Sequence, residues 1–289
     1  MNDISMIGLG NMGSALAACL IHSGLGVTVW NRSAAKAESL VAAGATLAAS
    51  PAEAIAASPV TILSVSDYPG SAAILASDDV AAALDGALIV QLSSGTPHEA
   101  RTLSAWIEAR GARYLDGKIM AWPRQIGTPE AAIFLSGDGE AYAAALPLLQ
   151  PLAGALDHAG EATGTAAAMF NAALAYLAGH WIGFAHGLVI AEAEGIGLAA
   201  FGEAMAGFAP MLADDMRHMA AVVADGAYAD PESTIAATGH DIARLVQLSR
   251  EAGIGSAFPA FAAQIFRKGV DAGYGAEEHA AIVKVLRAP

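Results

Sequence analysis

The stretch SMIGLGNMGSALAACLIHSGLGVTVWNRS, from Ser5 to Ser33, places Gly8, Gly10 and Gly13 in the spacing G-x-G-x-x-G. The spacing alone is a weak signal, because glycines are common in turns. Here it follows a short apolar run, opens a helical run, and precedes a second apolar run, GVTVW. In that setting Gly8 permits a tight turn, Gly10 lets the backbone approach a pyrophosphate, and Gly13 lets helix and strand pack closely. The stretch therefore predicts a dinucleotide-binding βαβ unit, with a purely structural turn as the alternative.

The end of the second apolar run, WNRS, bears on which dinucleotide is bound. A site that prefers NAD has Asp or Glu here to accept hydrogen bonds from the ribose, whereas this chain has Asn31, Arg32 and Ser33, with Lys36 close behind. An anionic side chain would repel a 2′-phosphate, and these residues would bind it by charge-assisted hydrogen bonds. NADPH is therefore favoured; in the alternative, Arg32 and Lys36 are solvated residues at a helix start and NAD is tolerated. The cofactor-binding residues predicted in this region are Gly8, Leu9, Gly10, Asn11, Met12, Gly13, Asn31, Arg32, Ser33 and Lys36.

Strand-like and helix-like runs alternate over the first part of the chain, and this rhythm predicts βαβ units around a parallel sheet. After Gly160 the periodicity is helical and predicts no strand. The expected class is α/β, with an N-terminal Rossmann domain over residues 1–162 and an all-helical C-terminal domain over residues 163–289. The second domain opens with a proline-free run that ends at Gly195. A helix over residues 163–195 would be about 50 Å long, enough to link the domains and to belong to a dimer interface.

Composition and charge exclude several classes of protein. The 289 residues carry a formal charge of −14, so no nucleic-acid partner is expected. Cys19 is the only cysteine, which excludes an intramolecular disulfide and any zinc site that needs two thiolates from one chain. The histidines lack metal-ligand spacing, so no metal is expected. The start, MNDIS, has no basic signal-peptide region, and polar residues interrupt the long apolar runs. We therefore expect a cytoplasmic protein with no membrane span.

Four motifs, IGLGNMG, WNRS, LSSGTP and DGKIMAWPRQIGTPEAAIFLSG, together resemble those of the imine reductases, which are relatives of the β-hydroxyacid dehydrogenases. The resemblance covers essentially the whole chain and includes FRKGVDAGYGAEEHAAIVKVLR near its end. A β-hydroxyacid dehydrogenase would be expected to carry a run like DAPVSGG where this chain has DGKIMAWPRQIG. The resemblance implies a Rossmann domain, a long interdomain helix, a helical C-terminal domain, NADPH as cofactor, and hydride transfer to the carbon of a C=N bond. It also implies a homodimer with exchanged helices, in which each active site uses both chains.

The start of the long helix, ATGTAAAMFNAAL, separates the two families. The dehydrogenases carry an acid–base lysine here, followed by an asparagine. Asn171 either matches that asparagine, which puts Ala168 or its neighbour at the lysine position, or replaces the lysine, which is the alignment we prefer. Since no lysine lies between Lys118 and Lys268, the ammonium of the dehydrogenases is absent from this helix under both alignments.

Asn171 departs from the imine reductases as well, because they often carry Asp or Tyr at the matching position. A carboxamide can orient a substrate nitrogen but is not a useful acid or base near neutral pH. We therefore expect the substrate either to enter as a protonated iminium ion that needs only hydride, or to take its proton from water. In the alternative, Asn171 is a helix-interior residue that bonds a neighbouring helix.

Two hydroxyls and a set of pocket residues complete the expected site. Ser94, taken with Asn171 as a catalytic candidate, and Thr96 follow a strand end, where their hydroxyls could hold the nicotinamide carboxamide or the substrate nitrogen. Ordinary turn chemistry around Gly95 is the alternative. The residues expected to line the substrate pocket are Met120, Trp122, Pro123, Ala175, Gly179 and His240. Gly179 replaces an aromatic residue that the family often has and would widen the pocket, and His240 is the other acid–base candidate.

The function expected from these features is that of an NADPH-dependent imine reductase that acts on cyclic imines or iminium ions and also carries out reductive amination. One alternative is a β-hydroxyacid or semialdehyde dehydrogenase or reductase. Such substrates carry a carboxylate and require an arginine near the nicotinamide, where only Arg124 is at hand. The other alternative is a non-catalytic regulator that binds NADPH.

Overall fold

The computed structural model describes residues 2–287 and divides the chain into two compact units, Met1–Ala175 and Tyr176–Pro289. The first unit holds eight strands in one sheet. They are β1 (Ile4–Ile7), β2 (Val27–Trp30), β3 (Thr46–Leu47), β4 (Val60–Leu63), β5 (Leu88–Gln91), β6 (Arg113–Met120), β7 (Ala132–Gly137) and β8 (Ala155–His158). Their order in the sheet is β3-β2-β1-β4-β5-β6-β7-β8. The first six strands are parallel and have the order 3-2-1-4-5-6 of a dinucleotide-binding fold.

Helices cover both faces of this sheet. They are α1 (Asn11–His22), α2 (Glu38–Ala42), α3 (Pro51–Ala56), α4 (Tyr68–Leu75), α5 (Asp78–Ala83), α6 (Pro97–Glu108) and α7 (Gly139–Leu149). Because side chains alternate along a strand, Met6 packs into the core cluster that contains residues of α1, and Ile7 packs into the cluster that contains residues of α6. Strands β1, β4 and β5 are buried along their whole length, as parallel strands between two helical layers must be.

The sheet departs from the predicted parallel arrangement at β7, which pairs antiparallel with β6. A parallel return needs a crossover connection of about a dozen residues or more, usually a helix. The connection over residues 121–131 contains only a short 3-10 turn at Pro123–Gln125. The chain therefore turns back along β6, and β8 then pairs parallel to β7.

The remaining elements are helical, as predicted. They are α8 (Thr165–Ala193), α9 (Leu198–Gly207), α10 (Ala209–Asp225), α11 (Ile235–Glu251), α12 (Ala257–Gly269) and α13 (Val283–Arg287), with short helical turns at Val270–Tyr274 and His279–Ile282. The long helix predicted over residues 163–195 is α8, and Gly195 follows it in the left-handed region at φ 71°. The Rossmann-like sheet, the long helix and the helical C-terminal part confirm the predicted fold class. The boundary between the two units falls inside α8.

Candidate active site

The turn between β1 and α1 is built around its glycines. Gly8 has φ 98°, and a Cβ added there would lie 2.3 Å from the carbonyl oxygen of Ser64. A Cβ at Gly13 would lie 2.0 Å from the carbonyl oxygen of Gly8, whereas one at Gly10 would meet no atom within 4 Å. Two of the glycines thus let backbones approach one another, and the third faces open space. Gly10 is also the N-cap of α1, so no side chain competes for the first amide groups of that helix.

Asn31 braces this turn from the end of β2. Its Oδ1 accepts a hydrogen bond from the backbone N–H of Leu9 at 3.0 Å, and its Nδ2 donates to the carbonyl oxygen of Ser33 at 3.0 Å. These contacts fix the orientation of the amide, because the partners are one donor and one acceptor. Asn31 therefore holds the glycine turn against the segment that carries Arg32.

A cleft of about 950 Å³ lies over the turn and gathers the residues between Gly8 and Lys36 that the sequence assigned to the cofactor, but not Ser94 or Thr96. Arg32, Ser33 and Lys36 are exposed at its edge, where their polar groups can reach a ligand. Sequence reasoning missed the part of the wall that comes from β4 and the elements around it. Those residues are Trp30, Pro51, Ser64, Val65, Ser66, Asp67, Gly70, Ala73 and Ile74. Their signal was present in the sequence, because the stretch SVSD directly follows the strand VTIL.

The two predicted hydroxyls lie in the turn between β5 and α6, which contacts the wall of this cleft. Ser94 is exposed and forms a parallel bridge with Asp67, which belongs to the cleft wall. Thr96 caps α6: its hydroxyl accepts from the backbone N–H of Glu99 and bonds the Glu99 carboxylate at 2.9 Å. This capping box occupies the Thr96 hydroxyl, whereas the exposed Ser94 hydroxyl faces solvent. The assignment of both residues to the cofactor stays a prediction.

Asn171 lies over the turn that carries Ser94. Its Nδ2 donates to the carbonyl oxygen of Gly95 at 2.9 Å and to the carbonyl oxygen of Ala167, one turn earlier in α8, at 2.7 Å. The two predicted catalytic residues thus flank Gly95. Because the amide contacts this turn rather than a neighbouring helix, it ties the start of α8 to the carboxyl end of β5.

A buried polar network that sequence reasoning missed lies beneath this contact. Asp116 is fully buried, and its Oδ1 accepts hydrogen bonds from the Tyr68 hydroxyl at 2.5 Å and from Lys118 Nζ at 2.5 Å. Its Oδ2 accepts from the backbone N–H of Ala167 at 3.1 Å. Lys118 Nζ also donates to Tyr68 Oη at 3.1 Å and to the carbonyl oxygen of Gly117 at 2.9 Å. An ammonium therefore lies below the first turn of α8, although α8 contains no lysine.

Burial shifts the pKa values of Lys118 and Tyr68. It lowers the pKa of the Lys118 ammonium below its usual value, and the Asp116 carboxylate opposes that shift. Burial also raises the pKa of the Tyr68 hydroxyl, and the Asp116 charge adds to the effect. Tyr68 therefore stays a neutral donor. Lys118 is 1% exposed, so its ammonium does not reach a ligand.

The predicted pocket residues divide between the two units. Met120, Trp122 and Pro123 lie at the β6–β7 connection of the first unit, where Trp122 is exposed. Ala175 is the last residue of that unit, whereas Gly179 and His240 belong to the second. All of the last three are exposed within their own units, and their place in a shared pocket stays a prediction. Within residues 2–287, no group of three His, Cys, Asp or Glu side chains is arranged to hold a metal ion.

The two halves of the chain match two different domain families. Residues 3–160 match the NAD-binding domain of 6-phosphogluconate dehydrogenase, and residues 162–288 match the C-terminal domain described as NADPH-dependent reductive aminase-like. Over 294 residues, the chain is 29% identical to an NADPH-dependent reductive aminase of Aspergillus oryzae, covering 98% of this chain and 97% of that protein.

Solved structures agree with this match over the full length. An imine reductase from Myxococcus stipitatus in complex with NADP+ is similar with a TM-score of 0.93 and 33% identity, covering 99% of this chain and 100% of that one. A reductive aminase from Aspergillus terreus in complex with NADPH and ethyl levulinate is similar with a TM-score of 0.93 and 32% identity, again covering 99% and 100%.

Replacing Gly10 and Gly13 in turn should separate cofactor binding from folding. We expect Gly10→Ala to keep the wild-type melting temperature but to weaken NADPH binding about tenfold or more, because its methyl group would occupy the space that a pyrophosphate needs. Gly13→Ala should instead destabilise the fold by about 1–3 kcal/mol, because its Cβ would overlap the Gly8 carbonyl. Thermal unfolding and fluorescence titration with NADPH measure the two effects. Gly202→Ala, in open space on α9, is the matched control. Wild-type NADPH affinity in Gly10→Ala would contradict the assignment.

Proposed function

The chain belongs to the imine reductase family, and on that premise we propose that the glycine cleft and the Asn171 site act together in its reaction. It is an NADPH-dependent oxidoreductase that reduces C=N bonds and carries out reductive amination. Cyclic imines and their iminium ions are the substrates we propose for it. The observation that carries the assignment of the site is the position of Asn171, which lies against the turn of Ser94 at the carboxyl ends of the strands, beside the cofactor cleft.

The residues of the cleft fit NADPH. The open space above Gly10 and the uncapped N-terminus of α1 suit a pyrophosphate. Arg32, Ser33 and Lys36 supply two cations and a hydroxyl for a 2′-phosphate, and Asn31 replaces the carboxylate that a site for NAD carries at the end of this strand. When bound, NADPH supplies the hydride. We further propose that Ser94 holds the nicotinamide carboxamide and that Thr96 positions this turn by capping α6.

The side chains of this chain need only bind and orient the substrate. In the reduction of an iminium ion, a C–H bond forms at carbon, the C=N π bond breaks, and its electron pair goes to nitrogen to give the neutral amine. No proton leaves the protein in this step, so an amide at position 171 is sufficient. An aldehyde or a keto acid would need an acid to protonate its oxygen as hydride adds to the carbon. The ammonium that lies below this turn belongs to Lys118, which is buried. The site therefore supports C=N reduction better than the dehydrogenase alternative.

We propose that the substrate pocket is formed by Met120, Trp122, Pro123, Ala175, Gly179 and His240. Met120 ends β6, and Trp122 and Pro123 lie on the connection to β7. A glycine at position 179 leaves room for a larger amine. The division into a Rossmann domain up to residue 162 and a helical domain after it remains part of the proposal. It is supported by the two matches, which end and begin on either side of residue 161.

Substrate preference tests the proposed reaction. We expect the purified protein to oxidise NADPH with a cyclic imine, and with a ketone and an amine supplied together, but not with a small semialdehyde alone. The absorbance of NADPH at its nicotinamide band measures each reaction. Turnover of the semialdehyde in preference to every imine would assign the chain to the dehydrogenase alternative. NADPH binding without turnover of either substrate would assign it to the regulator.

Cofactor choice tests the cationic edge of the cleft. Replacing Arg32 and Lys36 together by Ala should lower the ratio of kcat/KM for NADPH to that for NADH by about tenfold or more, because two charge-assisted contacts to the 2′-phosphate are removed. Lys268→Ala, which removes an exposed lysine from α12, should leave that ratio unchanged. An unchanged ratio in the double variant would show that NADP selectivity arises elsewhere in the cleft.

Helix α8 carries an exposed apolar surface that a second copy of the chain would cover. Among residues 2–287, this is the one helix whose length and mean hydropathy, 1.4, would suit a membrane span. Its large exposed apolar side chains are Met169, Leu174, Tyr176, Trp181, Ile182 and Val189. Histidines and an asparagine also lie along the helix, and such groups are costly in lipid. We therefore propose a cytoplasmic homodimer with exchanged helices, in which α8 packs on the partner.

The mass in solution tests this assembly. Light scattering should give about twice the 29.0 kDa of one chain, and Ile182→Glu should shift the protein toward the monomer, because it places a charge on the proposed interface. Val41→Glu, at an exposed apolar position on α2 of the first unit, should leave the mass unchanged. A wild-type monomer, or a protein that stays with membranes until detergent is added, would contradict the dimer.

A further inference from the structure

We propose that Tyr68, Asp116 and Lys118 form a positioning network that fixes the Asn171 amide with its oxygen outward, so that the site selects substrates whose nitrogen carries a hydrogen. The proposal rests on the role of Asn171 given above and specifies the substrate class of the same site. It follows from the contacts of Asn171 and of the two carbonyl groups that hold it.

The orientation of the Asn171 amide is determined by its partners. Both hydrogen bonds go to carbonyl oxygens, those of Gly95 and Ala167, and an oxygen cannot donate to either. The amide nitrogen, with its two N–H donors, must therefore face them. These two contacts use both donors, so Oδ1 is the atom through which Asn171 meets a ligand. Oδ1 accepts hydrogen bonds and donates none, and its partner in a substrate must carry an N–H.

Asp116 fixes both of the carbonyl groups that hold Asn171. Through Oδ2 it accepts the backbone N–H of Ala167, which sets the first turn of α8. Through Oδ1 it accepts the Tyr68 hydroxyl. The Tyr68 ring packs on Gly95 so closely that a Cβ there would lie 2.1 Å from Tyr68 Cδ2. One buried carboxylate thus positions Gly95 through the tyrosine ring and Ala167 through its amide.

Lys118 holds this carboxylate in place and balances its charge. The ammonium has three donors, and Asp116 Oδ1, Tyr68 Oη and the Gly117 carbonyl accept them. A fully buried carboxylate without a cation would be costly. The burial that lowers the pKa of Lys118 is opposed by the same Asp116 charge. Lys118 therefore acts through Asp116 and Tyr68 and does not touch the substrate.

A pair of substrates that differ in one N–H tests the network. 3,4-Dihydroisoquinoline becomes an N–H iminium ion on protonation, whereas the N-methyl-3,4-dihydroisoquinolinium ion has the same charge and ring but no N–H. We expect Asn171→Ala to lower kcat/KM for the first substrate about tenfold or more, the range for a lost hydrogen bond to a charged group, and to change kcat/KM for the second less than about twofold. Turnover of the N-methyl ion reports hydride delivery alone. Failure of the wild type to reduce either substrate would count against the proposed function rather than against the network.

Tyr68→Phe then tests whether the network acts through Asn171. It removes the hydroxyl but keeps the ring on Gly95, and it should lower kcat/KM for the N–H substrate about threefold to tenfold with little effect on the N-methyl ion. In an Asn171→Ala background, Tyr68→Phe should cause no further selective loss. Tyr114→Phe is the matched control, since its buried hydroxyl donates a long hydrogen bond of 3.4 Å to Tyr68 Oη, and that bond does not involve Asp116.

Melting temperatures and the pH profile separate positioning from simple stability. Lys118→Met should lower the melting temperature because Asp116 loses its cation, and in the fraction that folds it should show the same selectivity for substrates as Tyr68→Phe.

Because an amide does not titrate, the pH dependence of kcat for the N-methyl ion should be the same in the wild type and in Asn171→Ala. Equal losses for the two substrates in Asn171→Ala would overturn the outward orientation of its oxygen. Asn171→Ala could lower kcat/KM selectively for the N–H substrate while Tyr68→Phe does not. In that case the network would support the fold but would not position Asn171.

Discussion

A single buried carboxylate joins three separate parts of the first unit. Asp116 is the acceptor for the hydroxyl at the start of α4, for the ammonium on its own strand, and for an amide in the first turn of α8. An uncompensated carboxylate at this depth would be costly, so the ion pair and the hydrogen bonds must form together. Since α8 carries Asn171 and the strand end carries Ser94, the geometry of the site depends on this one contact.

The chemistry of C=N reduction explains why such a site can do without an exposed acid. A carbonyl oxygen that accepts hydride becomes an alkoxide and needs a proton, but an iminium nitrogen that accepts the π pair becomes a neutral amine. The enzyme then gains from orientation rather than from proton transfer. Burying Lys118 is consistent with that division, because an ammonium held by three acceptors contributes rigidity and charge balance. In the proposed site, the substrate-facing position is left to an amide, which does not titrate.

The sequence predicted what depends on local pattern and missed what depends on distant contact. Gly8, Gly10 and Gly13, the alternation of strands and helices, and the extent of α8 all follow from spacing and periodicity. The antiparallel return of β7 depends on the short connection before it. Asp116 and Lys118 lie two residues apart on β6 and share one face of the strand, which their spacing could have indicated but which sequence reasoning missed. Their partner Tyr68 lies 48 residues away in the chain from Asp116, and periodicity contains no signal for that pairing.

The same distinction applies to Asn171 and to the exposed helix that carries it. The residue type alone leaves open whether the amide donates or accepts toward a ligand, and only the two carbonyl partners decide it. The apolar surface of α8 poses a similar question on a larger scale, because length and hydropathy suit lipid or protein equally. The polar groups at the start of α8 also bear on this question. Asn171 and the Ala167 amide tie the first turns of α8 to the Rossmann-like unit by hydrogen bonds. These contacts support the proposed packing of α8 on a second protein surface over a place in a bilayer.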